Sequence, residues 1–517
     1  MIPYAKYPGL PPLFLDFLKG LPEFYPDPPA LDGAEKRGRE LLASGARARF
    51  PPSALHFRGE EAARMAEELS NGRAAAVSAG HQVGLFTGPL FTLIKALEAI
   101  HLARVLTRRG VPAVPVFWAL TDDHDLQEVA RTARPTEDGA QELVLEGADR
   151  QNRQPVGRLP IPEGIRAILE AFRPDAKAEG AEAILDAFAR RCAPGVTYGD
   201  AFTETLLDLV EPDPLLVLDP LSDALRAPTG ALFLRAAQKA DALRATLLAT
   251  AEKLERAGKP VPAPVPEGFS FFAIDADGRR RIENLPEAIA RLEKGEIVPS
   301  ADVITRPVLK SYLFPMAASV LGAAEIAYHA QSLPLFPLFG VPRPVLIPRT
   351  HVVLRGPVER RLAEALGIPE EDLLLAATSP ETPSIPEAAE LAAQARRAQE
   401  SLAALAPRLE RIDASLLGAL DTTKKKVAYQ FEQLAERADK AAQRRVDLEA
   451  GRRKRLQNLL APGGVPAERV YPPLSPMLAY GDGVRDALRQ AVATADSTRG
   501  AAVVDLGLAN SGGSDGR

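Results

Sequence analysis

Cysteine is almost absent: the 517 residues contain one, Cys192. That excludes an intramolecular disulfide and any zinc site built from several cysteines. Long apolar runs are missing, and none approaches the roughly 20 residues of a membrane span. Neither sign of charge dominates. A net charge of −5 gives no overall drive toward nucleic acid or an anionic membrane. Met1–Pro12 is broken by proline and lacks a basic n-region, so no signal peptide is expected and the expected location is the cytoplasm. The chain has no G-x-x-x-x-G-K-[ST] phosphate loop. It also has no H-x-G-H element, since His81 is followed by Gln-Val-Gly. No internal repeat is visible. What remains is an ordinary globular composition, 46% hydrophobic and 25% charged, with length enough for several domains.

The most organised stretch is Ala74–Glu128. Ala74–Ser78 is a short apolar run ending in Ala79-Gly80 and predicts a buried strand. Gly80–Pro89 follows, and its three glycines predict a turn whose backbone admits close approach. Pro89 suits a first helical position, with Thr87 or Gly88 as the cap. Leu90, Ile94, Leu97, Ile100 and Val105 recur at helical spacing, and Gly110 ends that helix. Val111–Leu120 is apolar and β-branched, a second buried strand, and Thr121–Asp125 is the acidic turn beyond it. Strand, helix, strand is a βαβ unit with parallel strands, so both turns leave the sheet at one edge. Open α/β sheets bind ligands at that carboxyl edge. A glycine-rich helix N-terminus there suits phosphate, and Asp123, His124 and Asp125 suit proton transfer or a divalent metal.

Around this unit, the aromatic segment Tyr4–Tyr25 is expected to wrap the core. Gly33–Ser44, Glu60–Asn71, Ile165–Phe172, Ala181–Ala189, Thr203–Val210 and Ala224–Arg256 predict helices. Ala133–Arg158 predicts a hairpin or edge excursion, and Phe269–Ile282 a hairpin about Asp277-Gly278. Leu215–Asp219 and Pro344–Pro348 predict further strands, and Ser311–Gln331 is expected to be partly helical. The character changes after about Thr378. Leu402, Leu405, Leu409, Ile412 and Leu416, then Val427, Phe431, Leu434 and Ala438, lie three and four apart, the period of a coiled-coil seam. Asp413 or Asp421-Thr422 caps a second helix of this arm; both fit. Tyr471–Tyr480 is expected to pack back on the core, and Ala509–Arg517 to be disordered. The expected division is a core over 1–378, an arm over 379–460, and a C-terminal return over 461–517.

GHQVGLFTGPLFTLIK and PVFWALTDDHDLQEV also carry a family resemblance. With ITRPVLKSYLFPMAASVLGAAEIAYHAQ, PRPVLIPRT and the basic helix ending in LLAPGGVPAERV, they resemble the bacillithiol-biosynthesis cysteine-adding enzymes, a cysteine ligase family, over nearly the whole chain. Asp122 departs from that family's pattern, which has glutamate there. The expected fold is α/β, a Rossmann-like parallel-sheet core with a long coiled-coil arm, and the resemblance supports the arm. Phe431 and the leucine stripes are generous for a solitary hairpin, so a homodimer through the arm is expected. The resemblance implies that L-cysteine is joined to the amino group of glucosaminyl-malate in the last step of bacillithiol synthesis. ATP would activate the cysteine carboxylate, with ADP as product. Acyl-adenylate and acyl-phosphate routes both stay open, as does a metal requirement, for which magnesium is the candidate.

Each candidate residue has a bland reading beside the functional one. Asp123, His124 and Asp125 form a solvated turn with Asp125 capping a helix, or Asp123 or His124 takes the proton of the attacking amine. His81 and Gln82 brace the glycine turn or act in the site. Gly80, Gly84, Thr87 and Gly88 shape the turn or hold phosphate or a substrate acid. Lys95 is a surface lysine or a phosphate contact. Glu325, Tyr328 and His329 share a helix face, for structural hydrogen bonds or for substrate. Arg306 and Arg349 pair with carboxylates or bind a substrate anion. Trp118, in the second motif, joins the binding set through the resemblance. Cys192 reads as an inert buried thiol. Two other function classes stand beside the ligase: a non-catalytic coiled-coil scaffold that binds a nucleotide or metabolite, and a metal-dependent hydrolase using Asp123, His124 and Asp125.

Overall fold

The computed structural model describes residues 1–149, 152–375 and 386–507. The expected disordered tail at 509–517 and the expected boundary near Thr378 lie outside the described residues. Two compact units result. The first holds Met1–Arg360, Glu370–Leu374 and the chain from Asn458; the second holds Arg361–Pro369 and the stretch up to Gln457.

The first unit is built on a six-stranded sheet. Its strands are β1 (Leu55–His56), β2 (Ala75–Gln82), β3 (Ala113–Leu120), β4 (Leu216–Leu218), β5 (Met316–Leu321) and β6 (Val345–Pro348). The order is β6-β5-β2-β3-β4-β1, parallel except for the edge strand β1. From β2 the chain steps outward to β3 and β4, then returns to the other side of β2 for β5 and β6. That reversal is the switch point of a doubly wound sheet, where the carboxyl ends of β2 and β5 open a crevice.

The predicted βαβ unit is present. Helix α1 (Phe91–Arg108) joins β2 to β3, is buried along most of its length, and ends before Gly110 at φ +79°. Two expectations need correction. Strand β2 runs on through Gly80, His81 and Gln82, paired with Trp118, Ala119 and Leu120. A Cβ at Gly80 would lie 2.8 Å from the Trp118 carbonyl oxygen, so this glycine serves strand packing rather than a turn. The helix starts two residues after Pro89, and neither Thr87 nor Gly88 caps it. The Leu90 N–H instead donates to the Tyr471 carbonyl at 2.8 Å. Phe86, Thr87 and Gly88 all take positive φ, which makes the tight connection between strand and helix.

Ser311–Gln331 is partly helical, as expected, but a strand not read from the sequence divides it. Helix α2 (Arg306–Leu313), strand β5 and helix α3 (Ala323–Ser332) follow one another there. Strand β5 is buried on both faces, so it shows no alternation, and its alanines favour a helical reading. The predicted hairpin at Phe271–Asp275 and Gly278–Arg281 gains a third strand, Val298–Ala301. The N-terminal aromatics Tyr4, Tyr7, Phe14 and Phe17 are buried as expected.

In the second unit, helices Pro386–Ala403 and Ala406–Glu410 precede the 45-residue helix Leu416–Leu460. The turn falls at Asp413, whose carboxylate accepts the Ser415 N–H at 2.8 Å, whereas Asp421 and Thr422 lie inside the long helix. Tyr429, Leu434 and Leu448 on that helix are more than half exposed. Among the described residues no helix is long and apolar enough to cross a membrane.

Candidate functional site at the switch point

A cavity of about 600 Å³ opens where β2 and β5 diverge. Gly80, His81 and Gln82 reach it from β2, Asp123 from beyond β3, Gly322–Glu325 and Tyr328 from α3, and Arg349 from beyond β6. Nine of the candidate residues therefore share one lining: Gly80, His81, Gln82, Lys95, Asp123, Arg306, Glu325, Tyr328 and Arg349. Trp118 and His329 line a smaller recess that opens from it.

The remaining candidates are placed elsewhere. Asp125 is exposed and caps a short helix, accepting the Glu128 N–H at 3.1 Å, because the acidic turn bends away from the cavity after Asp123. His124 is off the lining, with Nδ1 3.1 Å from Arg279 Nη1. Gly84, Thr87 and Gly88 form the strand-to-helix turn. A Cβ at Gly84 would lie 3.2 Å from Gly88 Cα, so these residues make room for each other. With the Leu90 N–H already bonded, the glycine turn does not fit a phosphate cradle.

Most buried charges of the lining are paired. Lys95 is 2% exposed, donates to the Gly80 carbonyl at 3.0 Å and forms an ion pair with Glu325, which also accepts the Gly322 N–H at 2.7 Å. Burial pushes the Lys95 ammonium down and Glu325 opposes that; burial pushes Glu325 up, and Lys95 more than reverses it. Arg349 makes a two-pronged contact with Glu468 at 2.6 and 2.9 Å, so it is not the substrate clamp its position suggested, except through Nε, which is buried without a partner.

Asp123 accepts from the His124 N–H at 2.7 Å, Gln82 Nε2 at 3.1 Å and Arg279 Nη1 at 3.2 Å. Burial alone would raise its carboxyl; His124, Arg279 and Arg306 together hold it far below the usual range. A carboxylate so stabilised is a weak base, which removes Asp123 as the acceptor of an amine proton. His81 is pulled down to about 4, chiefly by burial and then by the Lys95 charge, and so is neutral. Asp122, the departure from the family pattern, is buried and accepts from Ser300 at 2.6 Å.

Several lining residues were not read from the sequence. Arg279 is buried, Arg281 lines the cavity while remaining exposed, and Arg280 pairs outward with Asp275 and Asp277. Three consecutive arginines show no alternation that marks which of them reaches the cavity. Glu128 closes the second motif and lines the cavity with its side chain partly exposed; partial burial raises its carboxyl above the usual value. Arg469 arrives from the C-terminal segment, and its place in LLAPGGVPAERV, a motif of the resemblance, was the available signal. Among the described residues, Arg281, Arg306 and Arg469 have no carboxylate partner, and Arg306 Nε is buried without any partner. No group of three or more His, Cys, Asp or Glu side chains among the described residues could hold a metal ion, which leaves the hydrolase reading without a metal cage.

Comparison with known proteins agrees with this architecture. The family "Bacillithiol biosynthesis BshC, N-terminal Rossmann-like domain" matches residues 53–350, and "Bacillithiol biosynthesis BshC, C-terminal coiled-coil domain" matches residues 362–498. A protein of Koribacter versatilis named "Putative cysteine ligase BshC" is 29% identical over 96% of this chain and 98% of its own length. Relatives of the same name from Salinibacter ruber and Prosthecochloris aestuarii are 26% and 27% identical, covering 83% and 86% of this chain and 82% and 86% of their own. With a doubly wound core, a helical second unit, and both family descriptions matched in that order, the chain belongs to the bacillithiol biosynthesis BshC family.

Proposed function

We propose that this chain is a cysteine ligase that joins L-cysteine to the amino group of glucosaminyl-malate, completing bacillithiol. The observation that carries the reading is a set of arginines around one cavity at the switch point that have no carboxylate ion pair among the described residues: half-buried Arg306 and Arg469 and the more exposed Arg281. Half-buried guanidinium groups without an ion-pair partner call for an anionic ligand. The substrates supply such anions as the malate carboxylates and the cysteine carboxylate.

The same wall fits the phosphates of ATP: Arg306 Nε and Arg349 Nε are buried donors without partners. When bound, ATP supplies the activation that lets the cysteine carboxylate be attacked. Any magnesium would be held largely by phosphate oxygens, as that ion usually is. The chain's own groups then orient the reactants. Neutral His81 and the Lys95–Glu325 pair fix the floor, and Asp123 holds Gln82 and Arg279 in place. Glu128, raised by burial and reaching the lining, accepts the proton lost by the attacking amine.

Purified protein supplied with L-cysteine, glucosaminyl-malate, ATP and magnesium should form bacillithiol. Glu128→Gln should slow turnover by about 10²–10⁴-fold without loss of folding. No product from the wild-type protein would end this reading. The exposed Tyr429, Leu434 and Leu448 support a homodimer through the long helix. Light scattering of wild type and of Leu409→Asp/Phe431→Asp tests it, a dimer and a monomer being the expected results.

A further inference from the structure

Behind the cavity lies a small recess of about 50 Å³. Gly80, Leu120, Val303, Arg306, Glu325 and Tyr328 line both, so the recess is an inner annex of the same site. Its far end differs in chemistry. Met316, Leu321 and Pro344 make apolar walls, and two polar groups are set among them. Lys310, on α2, is 9% exposed and has no hydrogen bond or ion pair among the described residues. Trp118, the single tryptophan of the chain, has a buried Nε1–H with no partner. A buried donor left unmade is costly, so an unpartnered tryptophan N–H beside an unpaired lysine is kept for something.

Resting on the cysteine ligase reading, we propose that this recess receives the side chain of the cysteine substrate as a thiolate, paired with Lys310 and hydrogen-bonded by Trp118. Size agrees: the space suits a group of a few heavy atoms. Polarity agrees too, since sulfur tolerates apolar walls better than an oxygen anion does, while a lone methyl would leave both donors unpaired. The groups facing Lys310 are Glu325, Tyr328 and His329 from α3, Lys95 from α1 and Arg306 from its own helix. His329 Nδ1 is already engaged with the Glu325 carbonyl at 2.7 Å, and Glu325 is bound to Lys95, so neither neutralises Lys310.

The step is a proton transfer. The S–H bond of cysteine breaks, the proton goes to the lone pair on Lys310 Nζ, and a thiolate–ammonium pair results. Burial, first of all, pulls the Lys310 ammonium down to about 7, against the opposing charge of Glu325, so a free amine is available near neutral pH. A free cysteine thiol, at about 8.5, loses its proton more readily beside a lysine. Sulfur held in the annex is kept away from the carboxylate being activated in the main cavity.

The test uses the full chain, L-cysteine, and its isostere L-2-aminobutyrate, in which a methyl replaces the thiol. At pH 7, adding L-cysteine to the wild-type protein should produce the ultraviolet absorbance of a thiolate and change the emission of Trp118; L-2-aminobutyrate should produce no thiolate absorbance. Lys310→Met, checked for folding by circular dichroism, should lose the thiolate absorbance. Its preference for cysteine over 2-aminobutyrate in ligation should fall on the order of 10²-fold. Trp118→Phe should keep the absorbance and weaken cysteine binding. Normal ligation by wild type without a thiolate band, or an unchanged preference in Lys310→Met, would overturn the proposal. A thiolate band in a wild-type protein that forms no amide would leave the recess standing and remove the reaction instead.

Discussion

Two sets of cations on the cavity lining treat charge in opposite ways. In one, Arg349 is locked to Glu468 in an almost wholly buried pair, and Lys95, 2% exposed, to a Glu325 that is a quarter exposed. In the other, Arg306 and Arg469 stand without carboxylate ion pairs among the described residues. A buried pair is a structural commitment, since losing one member strands the other in a dry interior. An unpaired cation on a lining is an unmet demand that a ligand can answer. The same residue type, arginine, thus serves architecture in one place and recognition in the other, and only the partner tells them apart.

The comparison can be broken in either set. The largest effect is expected from Arg349→Met. It strands Glu468, which also accepts from Tyr7 at 2.6 Å and from the Val352 N–H at 2.8 Å. Stability should fall by about 3–5 kcal/mol, read by chemical denaturation. A loss under 1 kcal/mol would show that the pair is not structural. Arg306→Met should do the reverse: kcat/KM should drop about 10²–10³-fold while the melting temperature holds or rises. If Arg306→Met instead unfolds the protein, the distinction between the two sets fails.

A smaller effect concerns Glu98, which accepts the N–H and hydroxyl of Thr350 beside Arg349. Burial lifts its carboxyl from 4.5 to about 7, against the bonds from Thr350. A raised carboxyl stays neutral in the folded chain while the unfolded chain ionises. Its contribution is therefore full below pH 4.5, declines as pH rises to about 7, and is flat beyond. Glu98→Gln removes the titration, so the variant should gain on the order of 1–3 kcal/mol relative to wild type between pH 5 and 8. Parallel stability curves for the two proteins would contradict this.

The sequence made the sheet edge legible because the evidence for it is local. A glycine that fits only against Trp118, an apolar helix and a second apolar strand lie within fifty-odd residues of one another. Strand β5 was hidden because burial on both faces erases alternation, and Ala317 and Ala318 favour a helix on propensity. The acidic turn looked like one catalytic unit, yet its members diverge: Asp122 is bound to Ser300, Asp123 reaches the cavity, and Asp125 caps a helix. Three adjacent carboxylates on a turn point three ways, and spacing does not say which way is inward. Arg469 stands in the quoted LLAPGGVPAERV motif, yet nothing local assigned it to the site. The other lining residues come from more than a hundred residues away, and no periodicity links them to it.

Segments far apart in the chain meet beside this site. Ile2 pairs with Ala501, and Tyr7 bonds to the same Glu468 that holds Arg349. Tyr7 is thus completed by a residue made 461 positions later. A growing chain can form β2, α1 and β3 as soon as they emerge, but Arg349 has no partner for its charge until Glu468 has been made. The cavity lining is therefore finished only after that point, and a ribosome that stops short of Glu468 leaves a chain with the sheet built and that arginine uncompensated.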